Sequence, residues 1–294
     1  MKVDEDALRP RTQRRRFYDG GDDTEPPDRS APERIVLEQD LSARVEVFAM
    51  RRRVGYDDEE VGPLLVPADL ERFRTDLASV PSVFTWLVPR TGHHLPPALV
   101  HDALVIDTEP QTHIGASVDR VAADRVFRRA MRDRGVGVVR RWLVWSAVTL
   151  ATIWGGSGAW SRAEHLRRRV VMVGTHGLIA VLGVLSTLDL VDVVGWVPWM
   201  GQRVWWLELA GGFAAAVVVP LVLGALWGRF WPAGTITGVA LGVLLHVTVV
   251  IAAITLAYQV VEWVARRRPL LLILTGGVVV LACLVMTVLM VGVI

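Results

Sequence analysis

The sequence predicts a small α+β soluble domain followed by a C-terminal bundle of transmembrane α-helices. Charge is the first observation behind this prediction, because residues 1–169 hold 27 of the 32 Lys and Arg and 26 of the 30 Asp and Glu. The second observation is that the remaining residues form stretches of roughly 20 or more that are apolar on every helical face, which is long enough to cross a hydrocarbon core. The third is that short β-branched segments precede helical patterns in the charged half, the order found in α+β domains.

The chain divides into three predicted parts. Residues 1–33 combine Asp, Arg, Pro and Gly with few apolar side chains, and they are predicted to be a disordered tail. Residues 34–165 are predicted to form the soluble domain, an ordinary size for a single domain. Residues 166–294 are predicted to form the membrane region, with about four transmembrane helices. The net charge of +2 is no argument for nucleic-acid binding, and we expect none.

Each element of the soluble domain is predicted from a local pattern. Residues 35–50 alternate and are β-branched enough for one or two strands, and residues 63–67 are predicted to form a further short strand. Pro96–Pro97 suits the first turn of a helix, because proline is tolerated where the backbone N–H has no helical partner. Residues 117–134 place apolar side chains at helical spacing, and Gly135 can end that helix.

Four stretches are long and apolar enough to cross a membrane: Val170–Leu188, Val204–Trp227, Ala233–Val261 and Leu270–Ile294. A fifth candidate, Trp142–Trp160, has arginines on both sides. Four spans put seven loop arginines on one side and four on the other, whereas five spans give six and five, so the positive-inside tendency favours four. Trp142–Trp160 is then expected to lie against the bilayer surface or the soluble domain.

The soluble domain is expected to face the cytoplasm, with the protein integral to the plasma or inner membrane.

Three glycines in the third predicted span recur every four residues, at Gly234, Gly238 and Gly242. Such a face lets two helix backbones approach closely. Two alternatives follow, packing within the chain or a homo-oligomer seam, and the first is favoured. The intramembrane His176 and His246 do not favour a transporter, because no acidic residue lies deep in any span to act as a proton partner.

Several motifs occur in a specific order along the soluble domain. They are Val66–Pro67, Thr75–Pro81, His101–Asp102 and Ala123–Phe127, followed by Gly135 and Arg140–Arg141. This order resembles a bacterial and phage family catalogued as domain of unknown function 1353, over about residues 45–155. The resemblance implies a small α+β domain that is closed by an arginine-led apolar helix, but it implies no reaction. The chain departs from the family pattern in the charged loop before Thr75 and in its long membrane region.

The polar residues within these motifs are the candidate site: Asp76, Ser79, His101, Asp102 and Asp124. Asp, Ser and His are the ingredients of nucleophilic hydrolysis, and we take Asp76, His101 and Asp102 as candidate catalytic residues with Ser79 and Asp124 in support. Alternatively, His101, Asp102 and Asp124 could bind a divalent metal that activates water.

Structural roles are the alternative for the same residues. Asp76 could cap a turn or the start of a helix, and Asp124 could pair with Arg74 or Arg141.

The sequence leaves two functional hypotheses open. The first is a membrane-anchored protein whose cytoplasmic domain is a hydrolase or a metal-binding module. The alternative is a non-enzymatic membrane protein, structural or partner-binding, of the kind that prophages encode.

Overall fold

The computed structural model describes residues 16–40, 47–77, 92–106, 111–201 and 203–267. The chain divides into two compact units, Met1–Val243 and Leu244–Ile294. The first unit contains all the strands and most of the helical residues described below. The described part of the second unit is the remainder of one long helix, in which Glu262 and Arg266 pair one turn apart.

Two small antiparallel sheets precede the helices, which confirms the predicted α+β arrangement. The strands are β1 (Phe17–Asp19), β2 (Leu37–Asp40), β3 (Val47–Met50), β4 (Val54–Asp58), β5 (Gly62–Val66) and β6 (Arg74–Thr75). One sheet has the order β1–β4–β5 and the other the order β2–β3–β6.

The helices follow in sequence after the sheets. They are α1 (Leu95–Val105), α2 (Arg120–Asp133), α3 (Val138–Gly155), α4 (Arg162–Leu190), α5 (Trp205–Gly224) and α6 (Trp231–Arg267), with a 3-10 segment, Ala225–Phe230, between α5 and α6. Pro96 and Pro97 lie in the first turn of α1, and Gly135 follows α2 with a φ of 71°, so both sequence-predicted helix limits are confirmed.

The prediction of a disordered tail is wrong for residues 16–33. Phe17 and Tyr18 are buried, and β1 pairs with β4. Two acidic residues of this segment pair with the buried Arg52. Arg52 donates to both carboxylate oxygens of Asp19, at 2.6 and 2.8 Å, and it pairs with Glu25 at 2.7 Å. Composition alone misses this order, since a polar segment can be fixed by ion pairs to an arginine that lies far along the chain. Residues 1–15 lie outside the described residues.

A buried ion pair fixes α2 against the end of β4. Arg129 donates to both carboxylate oxygens of Asp58, from Nε at 2.8 Å and from Nη2 at 2.7 Å, and it also pairs with Glu60 at 2.9 Å. The backbone N–H groups of Glu60 and Val61 donate to the same aspartate. Burial raises the pKa of Asp58, but these hydrogen bonds and the charge of Arg129 together lower it below its usual range. The pair stays ionised in the core because several hydrogen bonds hold each charge.

The main hydrophobic core lies between the sheets and the helices α1 and α2. Its fully buried side chains include Met50, Val54, Tyr56, Leu64, Leu99 and Val126. Tyr56 also donates its hydroxyl to Asp133 at the end of α2, at 3.0 Å. Together with the Arg129–Asp58 pair, this contact sets the position of α2 along the sheet.

Helix α3 packs against α2, as expected for Trp142–Trp160. Trp145 on α3 contacts Phe127 and Met131 of α2 in a second buried cluster. Arg128 of α2 lies over the rings of Trp142 and Trp145, at 4.5 and 5.0 Å. Helix α3 is not among the candidate membrane spans of the described residues.

Two stretches of the described residues are long and apolar enough to cross a membrane, Arg162–Leu190 and Trp205–His246. Only 17% of the apolar part of the first stretch and 11% of that of the second are buried, so most of these side chains are exposed or half-buried. The first stretch contains the predicted span Val170–Leu188. The second begins with the predicted span Val204–Trp227 and includes the start of the next one. The fourth predicted span, Leu270–Ile294, lies outside the described residues.

The second stretch is folded back on itself as a helical hairpin. Gly228, with φ 57° and ψ −123°, breaks the helical path between α5 and α6. A Cβ added at Gly238 would lie 2.8 Å from Pro220, and one at Gly242 would lie 3.2 Å from the Ala216 Cβ, so the two helices run in opposite directions. A Cβ added at Gly234 would lie 2.5 Å from the ring of Trp227. This glycine face is therefore used within the chain, and association of copies through Gly234, Gly238 and Gly242 stays a prediction.

We expect Arg129→Ala to lower the free energy of unfolding by about 3–5 kcal/mol, because it leaves Asp58 buried without its cation. The matched control is Arg132→Ala on the same helix, where the arginine is 45% exposed instead of 7% and its ion pairs face solvent. The control should cost about 1 kcal/mol or less. Denaturant unfolding of the full chain in detergent measures both values, and equal losses would contradict a buried, structure-determining pair.

Candidate active site

Helices α1 and α2 bring His101 and Asp124 together. The Nε2 of His101 lies 2.9 Å from Oδ1 of Asp124, and the Asp124 residue is only 2% exposed. The ring of Phe127, one turn further along α2, stacks on the imidazole with centroids 4.8 Å apart. The imidazole is thus held by a carboxylate at one nitrogen and by an aromatic ring on one face.

The start of α2 places Asp124 on the face that meets α1. Asp119 caps the helix by accepting a 2.7 Å hydrogen bond from the N–H of Ala122. Asp124 and Phe127 are three residues apart and therefore lie on the same helical face. The expected pairing of Asp124 with Arg74 or Arg141 is corrected, since its partner is His101. Arg74 instead donates to the backbone carbonyls of Glu71 and Phe73.

A second polar pair lies beside the first, between α1 and β6. Thr75 donates its hydroxyl to Oδ2 of Asp102 at 2.6 Å, and it accepts a 2.9 Å hydrogen bond from the N–H of Leu77. Burial raises the pKa of the Asp102 carboxyl to about 6, opposed by the Thr75 hydrogen bond and the charge of His101, while the charge of Asp76 raises it further. The carboxyl can therefore exchange a proton close to neutral pH.

The candidate residues thus form two adjacent pairs and not one cluster around a point. His101 and Asp102 are neighbours on α1 whose side chains reach different partners, as their helical spacing predicts. The charges of His101 and Asp76 nevertheless both act on Asp102, so the pairs are electrostatically linked. Ser79 lies outside the described residues, in the segment that follows Leu77.

The metal alternative finds little geometric support in the part of the chain that the structure describes. There, no group of three or more His, Cys, Asp or Glu side chains is arranged to hold a metal ion. His101 and Asp124 contact each other directly, and Asp102 is engaged by Thr75.

Sequence reasoning missed two residues of this region, Thr75 and Phe127. Both belong to motifs that were already recognised, Thr75 directly before Asp76 and Phe127 three residues after Asp124. Helical spacing predicts that Phe127 shares a face with Asp124. The role of Thr75 depends on the pairing of β6 with β3, which no local pattern encodes.

His176 in α4 has a structural role, judged from its contacts with other described residues. Its Nδ1 lies 3.0 Å from the Met172 carbonyl, and its Nε2 lies 3.0 Å from the Thr237 hydroxyl on α6. The imidazole therefore joins two helices, and both of its nitrogens have partners within the chain.

The family model described as "Protein of unknown function (DUF1353)" matches residues 48–148. The matched region runs from β3 into α3 and contains both polar pairs. This bears out the family resemblance for the soluble domain, whereas a bacterial or phage origin stays a prediction. No curated protein and no solved structure matches the chain.

The raised pKa of Asp102 predicts a specific pH dependence of stability. Because the folded state holds this proton more tightly than the unfolded state, the free energy of unfolding should fall as pH rises from about 4 to about 6. The loss is on the order of 2–3 kcal/mol. Asp102→Asn cannot ionise and should remove this fall, which thermal unfolding of both proteins across that pH range measures. Parallel stability profiles for the two proteins would contradict the assignment.

Proposed function

We propose that this is a membrane-anchored protein whose soluble domain is a hydrolase that works by general acid–base catalysis. The proposed base is His101, and the observation that carries the proposal is its contact with the buried carboxylate of Asp124. A histidine paired with a carboxylate is the usual way in which an imidazole is oriented to remove a proton.

The geometry supports a division of roles within the site. In this proposal Nε2–H of His101 donates a hydrogen bond to Asp124, and the imidazole is the tautomer with a lone pair on Nδ1. Among the described residues Nδ1 makes no hydrogen bond, so it can take a proton from a hydroxyl group or from water. Phe127 covers one face of the ring and keeps it in place. Ser79, four residues after Thr75, is the candidate nucleophile, with a water molecule as the alternative.

Asp102 supplies the complementary acid. Its carboxyl has a pKa of about 6, so about half of it keeps a proton at pH 6 and about a tenth at pH 7, and this proton can pass to a leaving group. Two groups whose environments differ in this way are typical of paired acid and base roles. Acid–base hydrolysis is preferred over metal hydrolysis because the described side chains pair with each other instead of converging on one point.

The membrane anchor is supported by the dimensions of α4. Residues 170–188 separate Arg169 from Asp189, and nineteen helical residues span about 28 Å, close to the thickness of a hydrocarbon core. Trp196, Trp205 and Trp206 are exposed beyond the far end of this segment, where tryptophans suit a bilayer surface. The excess of arginines at the other end favours a cytoplasmic soluble domain.

We expect the full chain in detergent to hydrolyse at least one member of a panel of carboxylic esters, phosphoesters and peptide amides. His101→Ala should reduce that rate by about 10²-fold or more, because it removes the base. Asp124→Asn should also reduce the rate, since it no longer orients the imidazole with a charge.

The control for this assay is His165→Gln. His165 lies at the junction of α3 and α4, where its Nε2 contacts the carbonyls of Ile153 and Trp154, so the variant should retain full activity. Circular dichroism would show that each variant is folded. No activity in any substrate class, or full activity of folded His101→Ala, would exclude the hydrolase and leave the partner-binding alternative.

Topology provides a separate prediction for the anchor. In intact cells, added protease should spare residues 1–165, and permeabilising the membrane should expose them to cleavage. Immunoblotting for an N-terminal epitope tag measures this cleavage. Cleavage without permeabilisation would contradict the cytoplasmic location, and release of the protein by alkaline extraction would contradict an integral membrane protein.

A further inference from the structure

The chain between α2 and the middle of α4 has an unusual charge balance. Residues 135–188 contain six arginines and a single acidic residue, Glu164. Arg168, one helical turn further along, forms a salt bridge with that carboxylate. The remaining arginines, among them Arg162 and Arg167, are exposed or partly exposed and form no salt bridge with a described residue. This surface therefore carries uncompensated positive charge.

The junction of α3 and α4 holds part of this charge beside exposed apolar side chains. Arg169 donates from Nε to the Trp154 carbonyl at 2.7 Å, and its guanidinium lies 5.2 Å from the centre of the Trp154 ring. His165 contacts the same end of α3. These contacts fix Trp154 in place although it is 59% exposed. Leu166, 63% exposed, lies next to Arg167 on α4.

The exposed apolar surface of α4 continues from this junction into the candidate span. Leu166, Val170, Val173 and Val181 are all exposed and recur at helical spacing, so they lie on one side of the helix. Arg162 and Arg167 lie at the start of this apolar stripe. In a bilayer they would lie at the depth of the lipid headgroups.

We propose that this surface, formed by Arg162, Arg167, Arg169, Trp154 and Leu166 and here called the arginine corner, binds the headgroups of anionic phospholipids. The proposal rests on the membrane anchor proposed above but not on the hydrolase. The arginines offer planar hydrogen-bond donors that suit phosphate oxygens. Trp154 and Leu166 offer apolar contacts to the upper part of the acyl chains.

Charge and polarity together favour a lipid over other anions. A soluble phosphate would use the arginines alone and would gain nothing from the exposed apolar side chains. An acidic protein surface would match the arginines but not the apolar stripe, which continues into the candidate span. A phospholipid matches both parts of the surface. Its phosphate can contact Arg167 while its acyl chains lie along the apolar stripe.

The test is a thermal unfolding titration of the full chain in zwitterionic detergent with added phosphatidylglycerol, phosphatidylcholine or inorganic phosphate. Phosphatidylglycerol should raise the melting temperature with saturation, giving an apparent Kd, whereas phosphatidylcholine and inorganic phosphate should have little effect. The double variant Arg162→Gln/Arg167→Gln should raise that Kd roughly 25-fold, about fivefold for each arginine removed.

Two further variants separate recognition from a loss of folding. Arg162→Lys/Arg167→Lys keeps the charge and should retain most of the binding. Arg34→Gln/Arg72→Gln removes two exposed arginines of the soluble domain and should bind like the unaltered chain. An unchanged Kd in the corner variant, or equal stabilisation by phosphatidylcholine or by inorganic phosphate, would overturn the proposal. If the protein is integral to the membrane and the corner variant still binds normally, this inference alone fails.

Discussion

The ion pair between Arg129 and Asp58 is the constraint on which the soluble domain depends. A buried charge pair is stable only when every oxygen and N–H is satisfied, and here the turn after β4 supplies the additional donors to Asp58. The pair therefore favours the observed position of α2 on the sheet, together with the contact of Tyr56 with Asp133. Asp124 lies five residues before Arg129 on α2, so the same constraint places it against α1. We therefore expect the contact between His101 and Asp124 to depend on this ion pair.

Helix α2 also links the soluble domain to the apolar helices. On one side of α2, Asp124 and Phe127 contact His101 of α1. On another side, α2 packs against Trp145 of α3. At the start of α2, Val121 packs together with Ile153 of α3 against Trp227 and Phe230 in the turn between α5 and α6. The end of the helical hairpin is thus part of the core of the first unit. A proposed site on α1 and α2 would lie on the same side of the bilayer as this turn.

Local patterns predict much of the fold and less of the site. The proline start of α1, the glycine end of α2 and the apolar composition of α4 are each written in a few adjacent residues, and they were predicted correctly. The order of residues 16–33 was missed because it depends on Arg52, a distant residue that pairs with the acidic side chains of the segment. For the site, the motifs identified His101, Asp102 and Asp124 but not which side chains meet. The pairing of Asp102 with Thr75 depends on strand order, and that of Asp124 with His101 depends on helix packing, neither of which is local.

If Asp124 orients His101 as a base, the imidazole holds its proton on Nε2, and the tautomer can be measured. Nitrogen-15 NMR of the full chain, labelled at histidine and compared with His101→Ala for assignment, reports which ring nitrogen holds the proton at a pH where histidines are neutral. We expect a proton on Nε2, facing Asp124, and a lone pair on Nδ1, with this preference weakened in Asp124→Asn. A proton on Nδ1, or a tautomer that Asp124→Asn leaves unchanged, would show that Asp124 does not orient His101 as a base.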